Sequence, residues 1–150
     1  MRIVVQRVTN ASVSINGVEK SSIQAGLLIL LGIEHEDTLE DIQWLVQKIT
    51  QLRIFSDAEG KMNLSCNDVN GDYLVVSQFT LFASTKKGNR PSYIRAARPE
   101  VSFPLYEQFV QILEQTTQKR VQTGEFGADM QISLTNDGPV TITIDSKNKE

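Results

Sequence analysis

The chain has one cysteine and one histidine among its 150 residues, and that scarcity excludes much of the usual hydrolytic machinery. A serine or cysteine nucleophile is normally activated by a histidine that a third group orients. His35 lies in Glu34-His35-Glu36-Asp37, at the end of an apolar run, where it tops a helix more readily than it serves a distant serine. Neighbouring strand residues point to opposite faces, so this acidic cluster makes a poor metal cage, and no metal or cofactor is expected. One cysteine forms no internal disulfide, which agrees with a cytoplasmic setting. Cys66 has no cationic neighbour to lower its pKa, so it reads as an inert or exposed thiol.

Long apolar runs are also missing. The longest, Ala25 to Ile33, is interrupted by Gly26 and Gly32 and reads as a buried strand, far short of a membrane span. Met1 to Val8 is strand-like and broken by charges, without the apolar core of a signal peptide. The formal charge of -3 argues against a protein that coats nucleic acid indiscriminately. One segment departs from that balance: Lys86, Lys87, Arg90, Arg95 and Arg98 follow one another with no acid among them and Tyr93 interleaved. On an acidic background this is either a local phosphate footprint or a solvated loop, and Gly88 and Pro91 make it a loop.

What remains reads as one domain over residues 1–150, with a 40% hydrophobic content sufficient for a core of its own. Strand patterns occupy residues 1–8, 11–16 and 24–33, with a hairpin turn at Asn16-Gly17. Thr38 and Asp41 form a capping box ahead of Leu39, Ile42, Leu45, Val46, Ile49 and Leu52 at helical spacing. A short strand is expected at residues 53–55, a turn at 56–60, and a central strand over 73–83. Pro104, Leu105, Phe109, Ile112 and Leu113 predict a second helix whose end carries Lys119 and Arg120. Two alternating strands close the chain. The fold class is therefore α/β, of α+β character: layered α/β/β, two packed and largely antiparallel sheets with two helices on one side.

Two places look unusual. Asn136-Asp137-Gly138-Pro139 sits between the alternating stretches Met130 to Thr135 and Val140 to Asp145. Asp-Gly signals a hairpin, yet Pro139 at the head of a return strand cannot donate to a ladder and its peptide has access to the cis form. A Gly-Pro pair there presents rigid carbonyl groups. The second place is Ser77-Gln78-Phe79-Thr80, where an apolar strand turns polar, either to satisfy its own backbone or to line a pocket. Alternation separates Ser77 from Thr80, so a site using both hydroxyls needs a bulge or the strand's end.

The motifs Ser77-Gln78-Phe79-Thr80-Leu81, Asn89-Arg90-Pro91-Ser92-Tyr93 and Asn136-Asp137-Gly138-Pro139-Val140-Thr141 together resemble the D-aminoacyl-tRNA deacylases. Gln6-Arg7-Val8 and Phe55 to Asn63 extend the likeness over nearly the whole chain; one departure is Tyr93, where the family pattern has Phe. The resemblance implies a homodimeric hydrolase of the ester joining a D-amino acid to the 3′ end of tRNA, with its site at the subunit interface. It implies that Ser77, Gln78, Phe79 and Thr80 line the catalytic pocket. Gly138 and Pro139 reach into the partner's pocket for chiral selection, and Arg7 braces them. Phe126 and Met130 match positions near the terminal adenosine, and Lys86, Lys87 and Arg90 would take acceptor-stem phosphates. The alternatives are a related deacylase with relaxed chirality, a non-catalytic tRNA- or DNA-binding dimer, and, more distantly, a thioesterase using Cys66.

Overall fold

The computed structural model describes all 150 residues, and one long strand organises them. β1 (Arg2–Ile15) is a single element; the expected break near residue 9 is only an irregularity of its pairing. Asn16 and Gly17 have φ of 51° and 77°, the pair of positive values that a two-residue hairpin demands. The chain returns as β2 (Val18–Ile23) and continues as β3 (Gly26–Gly32). Both lie along one edge of β1, β2 beside Ala11 to Ile15 and β3 beside Arg2 to Val8.

The first helix, α1 (Leu39–Gln51), starts at the capping box of Thr38 and Asp41. A two-stranded ribbon follows, β4 (Phe55–Ser56) and β5 (Met62–Leu64), then β6 (Asp72–Ser77), a short 3-10 turn (Phe79–Phe82), α2 (Pro99–Thr117), β7 (Gln122–Thr123) and β8 (Gln131–Asp145). Helix α2 begins at Pro99, five residues ahead of Pro104, which lies inside it. Pro suits the first helical position because its missing N–H has no partner there anyway. Lys119 and Arg120 follow the helix, beyond a left-handed Gln118.

The layered expectation holds in part. The two helices do cover one face: Ile42, Leu45 and Ile49 of α1 and Phe109 and Leu113 of α2 share a core with Ile3, Val5, Leu27, Ile29, Tyr73 and Val75. Each such side chain contributes about 1.5–3 kcal/mol through burial. The second sheet, however, is only the small β4–β5 ribbon, and the main sheet is a near-barrel. One six-stranded mixed sheet runs β2-β1-β3-β6-β7 with β8 on the far edge of β1, and its β3–β6 and β6–β7 pairs are parallel. The opposite face is buried because this sheet curls over itself. Val8, Ala11, Val13 and Ile23 fold onto Leu28, Leu74 and Val76, and Ser21 Oγ donates to the Thr123 carbonyl at 2.6 Å, linking β2 to β7 in a near-barrel. No helix is long and apolar enough to cross a membrane.

Two corrections bear on function. β6 ends at Ser77, so the strand expected to reach residue 83 gives way to the 3-10 turn. And Asn136 to Pro139 is no hairpin: β8 runs through it, both halves antiparallel to β1.

The end of β8 is fastened to α1 through Asp41. Ser146 Oγ donates to Asp41 Oδ1 at 2.6 Å, and Lys147 Nζ and the Thr38 N–H donate to Oδ2 at 2.9 and 2.8 Å. Burial pushes the Asp41 carboxyl up, but these bonds outweigh it and hold its pKa below the usual carboxylate range. A depressed folded pKa means stability that is present above about pH 4 and lost as pH falls further. Asp41→Ala is expected to cost roughly 2–3 kcal/mol at neutral pH, through the lost cap and charged hydrogen bonds. In thermal melts between pH 7 and pH 2 the gap between variant and wild type should close at the acid end; a constant gap would contradict this assignment.

Candidate active site

β6 lies parallel to β3, and its last ladder bond runs from the Gln78 N–H to the Leu31 carbonyl at 2.7 Å. Beyond it the chain turns, so Ser77 and Gln78 stand at a strand end rather than mid-sheet. A cavity of about 360 Å³ opens there, walled by Ser77, Gln78, Phe79, Tyr93, Ser102 and Phe126 among others. Phe79 is 57% exposed at its mouth and meets Tyr93 edge-on, ring centroids 5.1 Å apart. Phe126 is backed by Phe103 and Tyr106 at 5.2 and 5.6 Å. Thr80 is not on the wall; its Oγ accepts from Gln78 Nε2. Tyr93 is the one ionisable side chain that lines the cavity. No carboxylate, imidazole or amine lines it, and what the walls offer is flat apolar surface with a few hydroxyl, amide and backbone groups.

The second unusual place is an outward bulge of β8. Val8 pairs with Asn136 and Gln6 with Thr141, so two steps along β1 correspond to five along β8, leaving three residues without counterparts. Asp137, Gly138 and Pro139 are exposed, the Gly138-Pro139 peptide is cis, and Gly138 has φ of 123°. That backbone disfavours any side chain, and a Cβ would also come within 2.8 Å of the Arg7 guanidinium. Arg7 is buried beneath the bulge. Its Nε donates to the Asp137 carbonyl at 3.1 Å and pairs with the Asp137 carboxylate at 3.2 Å, while Nη1 donates to the Ile54 carbonyl.

Asn136 also takes part, a role that sequence reading did not find. Its Oδ1 accepts from the Val140 N–H at 3.1 Å and its Nδ2 donates to Thr141 Oγ1 at 2.8 Å. The signal for it was available: Asn beside a Gly-Pro turn commonly bonds nearby backbone through its amide.

The cavity and the bulge do not meet within one chain. Ser77 pairs with Leu31, Leu31 with Ile3 and Ile3 with Ile144, so the cavity end of the sheet is level with Ile3 while the bulge is level with Arg7. Four residues at about 3.3 Å along the strands and three spacings at about 4.8 Å across them put the two roughly 20 Å apart as measured along the sheet. Arg7, Gly138 and Pro139 are likewise not among the cavity's wall residues.

The other expected site residues divide. Phe126 lines the cavity. Met130 does not: it packs on the smaller core, with its Sδ 3.4 Å from the Glu125 N–H. Lys86, Lys87 and Arg90 project from an exposed loop pinched at its neck by two hydrogen bonds between Ser84 and Ser92. Arg95 is not a free cation; it pairs with Glu34 at 3.0 Å and stacks over Phe82. Cys66 is buried, not exposed, and burial pushes its thiol up to about 11, which makes it a poor nucleophile. No group of three or more His, Cys, Asp or Glu side chains gathers where it could hold a metal.

A family model described as D-Tyr-tRNA(Tyr) deacylase matches residues 4–145. A D-aminoacyl-tRNA deacylase of Bacteroides fragilis is 63% identical over 150 residues, the full length of both chains. One from Cytophaga hutchinsonii is 63% identical over 147 residues, 98% of each chain. Among solved structures, one named c-Myc DNA Unwinding Element Binding Protein superposes with a TM-score of 0.91 at 42% identity, covering 97% of this chain and 98% of that one. A second, described as a probable eukaryotic D-amino acid tRNA deacylase, has a TM-score of 0.82 over 95% of this chain and 97% of that one. At 18% identity it speaks for the fold alone.

Proposed function

The chain belongs to the D-Tyr-tRNA(Tyr) deacylase family, and on that footing we propose that it works as a homodimer in which each subunit completes the other's site. It is a D-aminoacyl-tRNA deacylase, a hydrolase of aminoacyl-tRNA esters that serves proofreading. The finer reading is supported by one observation: the cavity wall includes none of Arg7, Gly138 and Pro139, and the sheet registers set the Ser77 end away from the bulge. Two copies related by a twofold axis would bring each bulge to the other's cavity and form two equivalent sites.

In this reading the terminal adenosine enters the cavity against Phe126, and the ester reaches Ser77 to Thr80. The ester is already activated and the ribose carries a neighbouring hydroxyl, so the protein's task is chiefly positioning. That suits a cavity whose only ionisable wall residue is Tyr93. The backbone N–H groups of Phe79 and Thr80 open the 3-10 turn, where the turn itself has no acceptor for them, and they would stabilise the oxyanion. The Thr80 hydroxyl, held by Gln78, is a positioning group. Cleavage breaks the acyl C–O bond; water adds hydroxide to the acyl carbon and its proton goes to the departing ribose oxygen.

Chirality is selected by backbone. A preference of about 10⁴ for D over L corresponds to roughly 5.5 kcal/mol, more than one mismatched apolar contact supplies. The Gly138 and Pro139 carbonyls would grip the amino group and close one side of the α-carbon, leaving the side chain in solvent. Glycyl-tRNA, with nothing to clash, is then a substrate. Lys86, Lys87 and Arg90 would meet acceptor-stem phosphates, and work on tRNA during translation agrees with a cytoplasmic location.

Three measurements test this. Hydrolysis of D-Tyr-, D-Asp-, Gly- and L-Tyr-tRNA should proceed for the first three at similar rates and fail for the fourth; hydrolysis of the L ester would favour the relaxed deacylase, and none at all the DNA-binding reading that the 42% identical structure's name carries. Mixing an inactive Gly138→Ala protein with an inactive Gln78→Ala protein should restore activity, up to about a quarter of wild-type sites if subunits exchange at random. No restoration despite proven exchange would place each site within one chain. Replacing Lys86, Lys87 and Arg90 by Gln should weaken tRNA binding and flatten its dependence on salt, by about one unit of log-log slope for each phosphate no longer neutralised. An unchanged slope would put the phosphate-binding groups elsewhere.

A further inference from the structure

We infer that Asn136 is the positioning residue that aims the Gly138-Pro139 backbone; this rests on the reading of that pair as the chiral selector. Asp137 to Val140 have no paired residue on β1, so the sheet ladder does not set their direction. Two side chains do. Arg7 holds the near leg from below through the Asp137 carbonyl. Asn136 holds the far leg: its Oδ1 takes the Val140 N–H at 3.1 Å, and its Nδ2 donates to Thr141 Oγ1 at 2.8 Å. Thr141 Oγ1 also accepts from Gln6 Nε2 at 3.3 Å, which ties that leg back to β1.

The residue type follows from what must be done. Val140 is buried but has no ladder partner across β1, so its N–H needs an acceptor from the side. The Thr141 hydroxyl, which also accepts from Gln6, takes a second donor a few ångströms away. A planar amide supplies both in one fixed geometry; a carboxylate keeps the acceptor for Val140 but reaches Thr141 only if its hydroxyl turns to donate, a hydroxyl is too short to span both, and alanine supplies neither. Asn is otherwise poorly suited to a strand interior, and the two bonds account for its presence in the middle of β8. Because the β8 residues on either side of the bulge remain laddered to β1, losing the amide loosens the bulge and leaves the rest of the sheet in place.

The test compares Asn136→Ala and Asn136→Asp with Gly138→Ala as a control, measuring kcat/KM for D-Tyr-tRNA and L-Tyr-tRNA together with Tm. Asn136→Ala is expected to reduce the D-to-L ratio by about tenfold, the equivalent of one hydrogen bond, with Tm lowered by only a few degrees. Asn136→Asp keeps the acceptor for Val140 and should recover part of the ratio. A ratio that Asn136→Ala leaves unchanged while Gly138→Ala abolishes D-Tyr-tRNA hydrolysis overturns this inference and spares the reading beneath it. If neither variant alters the ratio, both fall. Should Asn136→Ala fail to fold, Asn136→Asp decides: a wild-type ratio at a lower Tm means that the amide serves stability alone, and the inference is overturned.

Discussion

The mismatch between β1 and β8 is the constraint on which the rest depends. Both are long strands, and they pair for most of their length, yet three residues of β8 are surplus at the level of Arg7. The surplus has to leave the sheet. It leaves as a bulge of Asp137, Gly138 and Pro139, and leaving creates the demands that neighbouring residues meet. A buried guanidinium below satisfies the Asp137 and Ile54 carbonyls, a side-chain amide closes the far leg, and a glycine occupies a position where a Cβ would strike Arg7. Each of these residues is explained by the bulge, and none by the regular sheet on either side.

The sheet register then decides what one subunit can do alone. Because β3 pairs antiparallel with β1 and parallel with β6, Ser77 is carried to the end of the sheet opposite the bulge. Curling the sheet does not change that ordering, because hydrogen-bond registers are preserved when strands bend. Within one chain the shaped backbone and the open cavity therefore lie apart, and the proposed pairing of two chains is what would bring them together. The cavity itself has aromatic walls, few polar groups and no carboxylate, imidazole or amine.

Charge is arranged with similar economy. The basic loop from Lys86 to Arg90 stays exposed at a pinched neck, whereas Arg95, adjacent in sequence, is consumed by Glu34 and Phe82. A run of cations in sequence is thus two groups in space, one structural and one open to a partner. Burial similarly sorts Cys66 out of the chemistry by raising its thiol pKa, although nothing local to its sequence foretold that it would be enclosed.

Much of the molecule was legible in the residues because the deciding forces act locally. Thr38 and Asp41 announced α1 through a cap that spans three residues, Asn16-Gly17 announced its hairpin through two φ values, and Ser77 to Thr80 announced an irregularity because polar groups do not sit in an apolar strand without reason. The motifs were specific enough to indicate the family. What they left open were questions of pairing. Asp137-Gly138 looks the same in a hairpin as in a bulge, since the local backbone demands are alike; which one forms depends on whether the flanking strands pair with each other or both with β1, a choice made by residues more than a hundred positions away. The end of β6 after Ser77, the parallel pairing that carries it away from Gly138, and the Asn136 bonds to Val140 and Thr141 are likewise consequences of register. Register is a property of the assembled sheet: it is selected by which faces are buried once all the strands are present, and no single segment contains it.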